Sequence, residues 1–187
     1  MEPSNLAPGL LLAMPQLADP NFARAVVLMI EHGDHGSFGL VINHPSPIKA
    51  AELLDSLEMA WRGDEEAVVW AGGPVSPSTG WVLHEPVGIA PAGVGGTIEI
   101  TSRISLSTSP DRLRLIASEP PRKLRLLLGY SGWGAGQLAH EMARGAWLHT
   151  AADPLLVFDT PPDEIWDTAM RSLGINPRDL FTGRGVN

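Results

Sequence analysis

Apolar residues along this chain gather in short runs separated by glycine and proline, and the runs predict many short elements. Leu10 to Met14 reads as a first strand, closed by Pro15, with Asp19-Pro20-Asn21 as a turn. Arg24 to His32 is almost continuously apolar through Val26, Val27, Leu28, Met29 and Ile30, the pattern of a strand buried on both faces. Gly33-Asp34-His35-Gly36 supplies turn residues before a second apolar strand, Phe38 to Asn43, and the two runs read as a β-hairpin that Pro45 and Pro47 end. Ile48, Ala51, Leu53, Leu54 and Leu57 recur at helical spacing and predict a short amphipathic helix over Ile48–Leu57. Arg62 to Glu66 is a polar loop.

Val68–Ala71, Gly80–His84 and Thr97–Thr101 read as further strands, the first leading into Gly72-Gly73-Pro74 and the last two joined by a Gly/Pro-rich loop over Pro86–Gly96. Ser109-Pro110-Asp111 is a strong helix start: an N-capping serine, proline in the first turn, and an acid beside the positive end of the helix dipole. Pro120-Pro121 stops that helix, whose apolar face is Leu113, Ile116 and Ala117. Lys123–Tyr130 reads as a strand, Gln137–Arg144 as a helix, and Trp147–Thr150 and Leu155–Phe158 as short strands. A last helix begins at Thr160-Pro161-Pro162-Asp163, turns Ile165, Trp166, Ala169 and Leu173 inward, and ends at Gly174. Strands cluster instead of alternating with helices, which predicts an α+β fold with a mostly antiparallel or mixed sheet in a single domain spanning residues 1–187.

Composition narrows the chemistry. The chain has no cysteine, so disulfides, thiolate metal sites and cysteine nucleophiles are excluded. The formal net charge of −8 repels phosphate backbones at long range and disfavours a nucleic-acid partner. A local exception, Arg112, Arg114, Arg122, Lys123 and Arg125, is diluted by Asp111 and Glu119 and reads as a solvated face. Met1–Asn5 lacks the basic region of a signal peptide, and Leu6–Met14 is too short to span a bilayer. The expectation is a soluble cytoplasmic protein, not a membrane one.

Several segments carry candidate chemistry. Glu31-His32-Gly33-Asp34-His35 holds metal-ligand residue types, but on a strand followed by a turn the spacing does not aim both imidazoles at one centre, so it reads as a polar hairpin loop. His140-Glu141-Met142-Ala143-Arg144 begins like His-Glu-x-x-His, but Arg144 stands where the second ligand belongs. Glu141 and Arg144 are expected to form a surface pair instead. No metal and no cofactor are expected. Leu128-Gly-Tyr-Ser-Gly-Trp-Gly-Ala-Gly-Gln-Leu138 is the most distinctive stretch: its glycines bare the backbone for tight packing under Trp133, or for an anion at a helix N-terminus. Ser131 sits one residue out of register for a Gly-x-Ser-x-Gly elbow. Asn43-His44-Pro45 and Gly72-Gly73-Pro74 are corners at strand ends, and the six tryptophans are candidates for core or subunit contacts.

Gly9-Leu-Leu-Leu-Ala-Met-Pro15, Asp19-Pro-Asn-Phe22, Arg24-Ala-Val-Val27, Glu31-His32, Gly39-Leu-Val-Ile-Asn43, Gly72-Gly-Pro-Val75, Gly80-Trp-Val-Leu-His84 and the Leu128–Leu138 segment together resemble the YqgE/AlgH family of bacterial proteins. The resemblance runs from about Pro8 to Gly174. It implies an α+β domain whose sheet curls into a split, barrel-like structure with flanking helices. It implies no defined activity, although some members carry the label of transcriptional regulator. Members often have a cysteine where this chain has Ile30, so no thiol role is open to it, and many end in a Gly-His-Ala-like tail where this chain has Gly183-Arg184-Gly185.

The leading expectation is a non-enzymatic protein with a regulatory role, acting by binding a protein partner or a small ligand. Its candidate pocket is formed by Glu31, His32, Asn43, Tyr130, Ser131, Trp133 and Gln137. The alternatives are a hydrolase using Ser131, or Glu31 with His32, and a DNA-binding regulator, which lacks a helix-turn-helix pattern.

Overall fold

A computed structural model describes residues 5–17, 19–88 and 95–182. Its strands are β1 (Gly9–Ala13), β2 (Val26–Gly33), β3 (Gly36–Val41), β4 (Pro45–Lys49), β5 (Val68–Ala71), β6 (Val75–His84), β7 (Thr97–Thr101), β8 (Ile104–Ser107), β9 (Leu124–Trp133) and β10 (Trp147–Thr150). Its helices are α1 (Ala50–Ser56), α2 (Pro110–Ser118), α3 (Gln137–Ala143), α4 (Ile165–Ser172) and α5 (Asp179–Thr182). The Gly183–Gly185 tail and the centre of the Pro86–Gly96 loop lie outside the described residues.

All strands join one sheet, ordered β10-β1-β2-β3-β9-β6-β8-β7, with β5 parallel to β9 and antiparallel to β4. Every other pairing is antiparallel. The expected α+β class with a mixed, mostly antiparallel, curled sheet is what the structure has. β9 is the central strand: Leu126–Leu128 lie between β5 and β6, and Ser131–Trp133 pair with β3.

The curl has an inner core and two outer ones. Leu10, Leu28, Leu40, Leu83, Leu106 and Leu127 face inward against Phe158, Trp166 and Met170 of the C-terminal segment. The Trp166 indole N–H donates to Ala13 O at 2.9 Å and ties α4 to β1. On the outside, α3 covers Leu11, Val27, Met29 and Val41, while α1 and α2 cover Val82 and Leu126. Val26 to Met29 are fully buried because both faces of β2 are covered, as the continuous apolar run predicts.

Four local readings are corrected. Leu155–Phe158 is no strand but part of a π-helical turn, Leu155–Asp159: the Leu155 N–H donates to Asp153 Oδ1 at 2.9 Å, and Leu156, Val157 and Phe158 all pack inward. The hairpin of β2 and β3 ends before Pro45 as read, but Pro45–Lys49 forms a further strand, β4, beside β5, so the helix read from Ile48 starts only at Ala50. β9 runs past the expected end at Tyr130 to Trp133, so Ser131, Gly132 and Trp133 are strand residues, not a turn. Leu173 ends α4 exposed, since it stands past the last helical turn that faces the core.

Candidate functional site

The glycine-rich segment is a backbone crossing. Gly129 has φ +77°, and a Cβ on it would run into Gly73 O; a Cβ on Gly73, at φ +150°, would run into Tyr130. The Gly72-Gly73 corner between β5 and β6 therefore lies directly on β9, a contact only hydrogen permits. Ser131 is fully buried in this crossing, and its hydroxyl donates to Gly72 O at 3.2 Å. The same carbonyl accepts the Val41 N–H at 2.9 Å.

Trp133 and Gln137 meet around Glu141. The Glu141 carboxylate accepts the Trp133 indole N–H at 3.1 Å, the Trp147 indole N–H at 2.8 Å and a Gln137 amide N–H at 3.1 Å. The Gln137 carbonyl in turn accepts the Gly134 N–H at 3.0 Å. Phe22 stacks on Trp133 and meets Trp147 edge-on. The expected Glu141–Arg144 surface pair is therefore replaced by this bridge, because α3 turns Glu141 toward the sheet.

Strand register divides the remaining candidates. His32, Ser37 and Trp133 lie in one cross-strand row, and Glu31, Phe38 and Gly132 in the next, so the two rows face opposite sides of the sheet. Glu31 is exposed, and Tyr130 shares its side, packed edge-on against Phe38 and Trp81. His32 lies with Ser131, Trp133 and α3, its Nδ1 2.6 Å from Ser37 Oγ. Asn43 is committed to the main chain: its Oδ1 accepts the Val26 N–H at 2.9 Å, and its amide donates to Arg24 O at 2.9 Å. Arg24 there takes φ +53°. The seven residues do not share one cleft. Among the described residues, no three His, Asp or Glu side chains converge as a metal-holding group.

A cavity absent from the sequence reading lies under the two outer helices. It measures 320 Å³ between α1, α2 and strands β6, β8 and β9. Leu53, Leu54, Leu57, Met59 and Leu113 make it apolar, while Ser78, Thr79, Ser107, Thr108 and Ser109 bring hydroxyls to it. Leu57 is 47% exposed. Ser109 also caps α2, accepting the Arg112 N–H at 3.2 Å.

Ser107 belongs to a buried polar chain. His84 Nδ1 lies 2.7 Å from Glu85 O, which can only accept, so Nδ1 carries the proton. His84 Nε2 is then an acceptor, and Ser107 Oγ donates to it at 2.7 Å. Thr97 Oγ1, 2.9 Å away, donates to Ser107 in turn. Burial lowers the His84 pKa, and the Arg112 charge adds to this against the opposing Glu85 carbonyl and carboxylate, so the ring is held neutral. Arg112 is only 6% exposed, and its Nε–H has no acceptor. The available signal was the alternation Ile104-Ser105-Leu106-Ser107, whose serines share a face with His84 once β8 pairs with β6.

Comparisons with known proteins agree with this architecture. A family model described as AlgH-like matches residues 10–178. The chain is 44% identical over 184 residues to a UPF0301 protein of Myxococcus xanthus, covering 98% of this chain and 99% of that one. It is 41% identical over 188 residues to a UPF0301 protein of Chromobacterium violaceum, covering 99% of each. The solution structure of the AlgH protein from Pseudomonas aeruginosa is similar with a TM-score of 0.77 at 40% identity, covering 100% of this chain and 98% of that one. The crystal structure of protein DIP2367 from Corynebacterium diphtheriae, 24% identical with a TM-score of 0.70 over 96% of this chain and 91% of that one, shares the fold.

Proposed function

This chain belongs to the AlgH-like family, and on that premise we propose that it is a binding protein with a regulatory role, taking a small, uncharged, mostly apolar molecule between α1, α2 and the sheet. The observation that carries this reading is the 320 Å³ cavity, whose size and apolar lining with a few hydroxyls suit a small-molecule site. Ser107, Thr108 and Ser109 spend their donors on His84, Gly96 and Gly95, which leaves acceptor lone pairs for a ligand donor. A thermal-shift screen of uncharged aromatic and aliphatic compounds tests it, with Leu53→Trp filling the cavity. A ligand at about a hundredfold over its Kd stabilises by about 2.7 kcal/mol. Compounds that raise the Tm of the wild type but not of Leu53→Trp support the reading. A screen without hits, or hits indifferent to Leu53→Trp, ends it. A pull-down with and without a hit then tests the regulatory part.

The Ser107–His84 pair favours a second reading, hydrolysis. A hydroxyl that donates to an imidazole held by a third group is the arrangement of an activated nucleophile. Ser131, bonded to a carbonyl, lacks such a base. An aryl-ester screen with Ser107→Ala and His84→Asn separates the readings: turnover abolished by both substitutions supports hydrolysis, and turnover absent from the wild type removes it.

A further inference from the structure

We propose that the cleft between the α1–β5 and α2–β9 connections binds a small organic phosphate ester. The cleft measures 570 Å³ and is lined by Arg62, Arg122 and Arg125 together with Asp64, Glu66 and Trp70. Glu66 is already engaged by Lys49, with Nζ 3.1 Å from Oε2. Three guanidinium groups are thus left facing one carboxylate, in a chain whose formal net charge is −8. A local excess of positive charge inside a cleft attracts an anion, and the planar guanidinium fork matches phosphate oxygens.

Arg125 is the anchor. Its Nη1 donates to Leu124 O at 3.1 Å and its Nη2 to Phe158 O at 2.7 Å, with the guanidinium 4.8 Å over the Trp70 ring. These contacts fix the group and leave its buried Nε–H without an acceptor. The neighbouring Asp159 carboxylate is taken by Lys123 at 2.7 Å. Burial lowers the Arg125 pKa, only partly offset by Asp159, so the cation is short of the stabilisation that an anion would supply. Arg62 and Arg122 stand exposed at the cleft, with no partner for either guanidinium among the described residues.

The walls are set before any ligand arrives. The Arg62 N–H donates to Ala117 O at 3.0 Å, the Trp61 indole N–H to Asp64 O at 2.9 Å, and the Glu66 N–H to Asp64 Oδ1 at 2.9 Å. Pre-set walls lower the ordering cost of binding. The cleft has room for more than a bare phosphate ion, so an organic portion fits beside the phosphate. Arg122 and Arg125 belong to the basic run that the sequence alone reads as a solvated face. Arg62, from a distant loop, converts their end of that run into a cleft. This cleft shares no lining residue with the cavity between α1 and α2.

The test is calorimetric titration of the full chain with phenyl phosphate, inorganic phosphate and phenol, repeated at raised salt. Phenyl phosphate is expected to bind saturably and tighter than inorganic phosphate, phenol not at all, with affinity falling as salt rises. The doubly substituted Arg62→Gln/Arg122→Gln chain should lose at least about tenfold in affinity while keeping its fold, since both side chains are exposed. Arg114→Gln, on the exposed side of α2, should bind as the wild type does. No saturable binding of phenyl phosphate, equal binding of phenol, or undiminished binding by the double variant would each overturn the proposal.

Discussion

The Trp147 indole N–H donates to Glu141 Oε2 at 2.8 Å, and the Trp133 indole donates to the same oxygen from β9, with β1, β2 and β3 between β10 and β9 in the sheet order. One carboxylate thereby joins β9, α3 and β10. Both indoles belong to buried residues, so an unpaired N–H there would bear its desolvation cost in full. Glu141→Ala is expected to destabilise the chain by about 2–4 kcal/mol. Glu141→Gln keeps an acceptor oxygen and should lose less. Urea unfolding followed by tryptophan emission checks this; equal losses for the two substitutions would show that packing, not the acceptor, matters.

A second expectation concerns Gly129 and Gly136, which share a left-handed backbone at φ +77° and +75°. A Cβ on Gly136 meets nothing, so Gly136→Ala should cost only the conformational strain, about 1–2 kcal/mol. Gly129→Ala adds a collision with Gly73 O that only backbone movement relieves, and should cost at least about 3 kcal/mol. Comparable midpoints for the two variants would mean that the β5–β6 corner yields easily.

Gly129 also marks how far the sequence could be read. Its glycine signal was visible, but not its reason, because the need for hydrogen arises from Gly73, remote in sequence. The Val26–Met29 run and the Ser109-Pro110-Asp111 cap were legible because one is a burial pattern and the other a local hydrogen bond. Leu155–Phe158 was not, since four consecutive apolar residues carry no period that separates strand from helix. The Ser107–His84 pair spans 23 residues and forms only across β6 and β8, and no spacing motif announces it. Glu31 and His32 were read as a pair because they are adjacent, yet adjacency in a strand sends side chains to opposite faces.

Asn43 offers a third test. Its amide braces Arg24 O while its carbonyl receives the Val26 N–H, holding the left-handed Arg24 turn whose guanidinium lies 5.3 Å over the Trp166 ring. Asn43→Ala should cost about 1–3 kcal/mol through the lost bonds. Asn43→Asp keeps the acceptor for Val26 but sets a carboxylate oxygen against Arg24 O, and should be no more stable than Asn43→Ala. If Asn43→Asp matches the wild type in thermal unfolding at neutral pH, the brace does not have the assigned donor.

The last expectation follows from His84. Its folded pKa lies below the ordinary histidine value of about 6.5, chiefly through burial, and His44 is lowered by burial in the same way. As pH falls through that value, the unfolded chain takes up protons that the folded chain refuses. Stability is therefore full above about pH 6.5 and declines on acidification toward the lower folded pKa, by at most about 1.4 kcal/mol per pH unit for each histidine. Protonation would also turn His84 Nε2 into a donor, so the Ser107 hydroxyl would have to rotate and accept in place of donating. Urea midpoints between about pH 7.5 and pH 5.5, above most of the carboxylate range, should fall in the wild type and fall less in His84→Asn, where the His44 share persists. An unchanged slope in His84→Asn, or wild-type stability that rises on acidification, would contradict a neutral His84 in the folded chain.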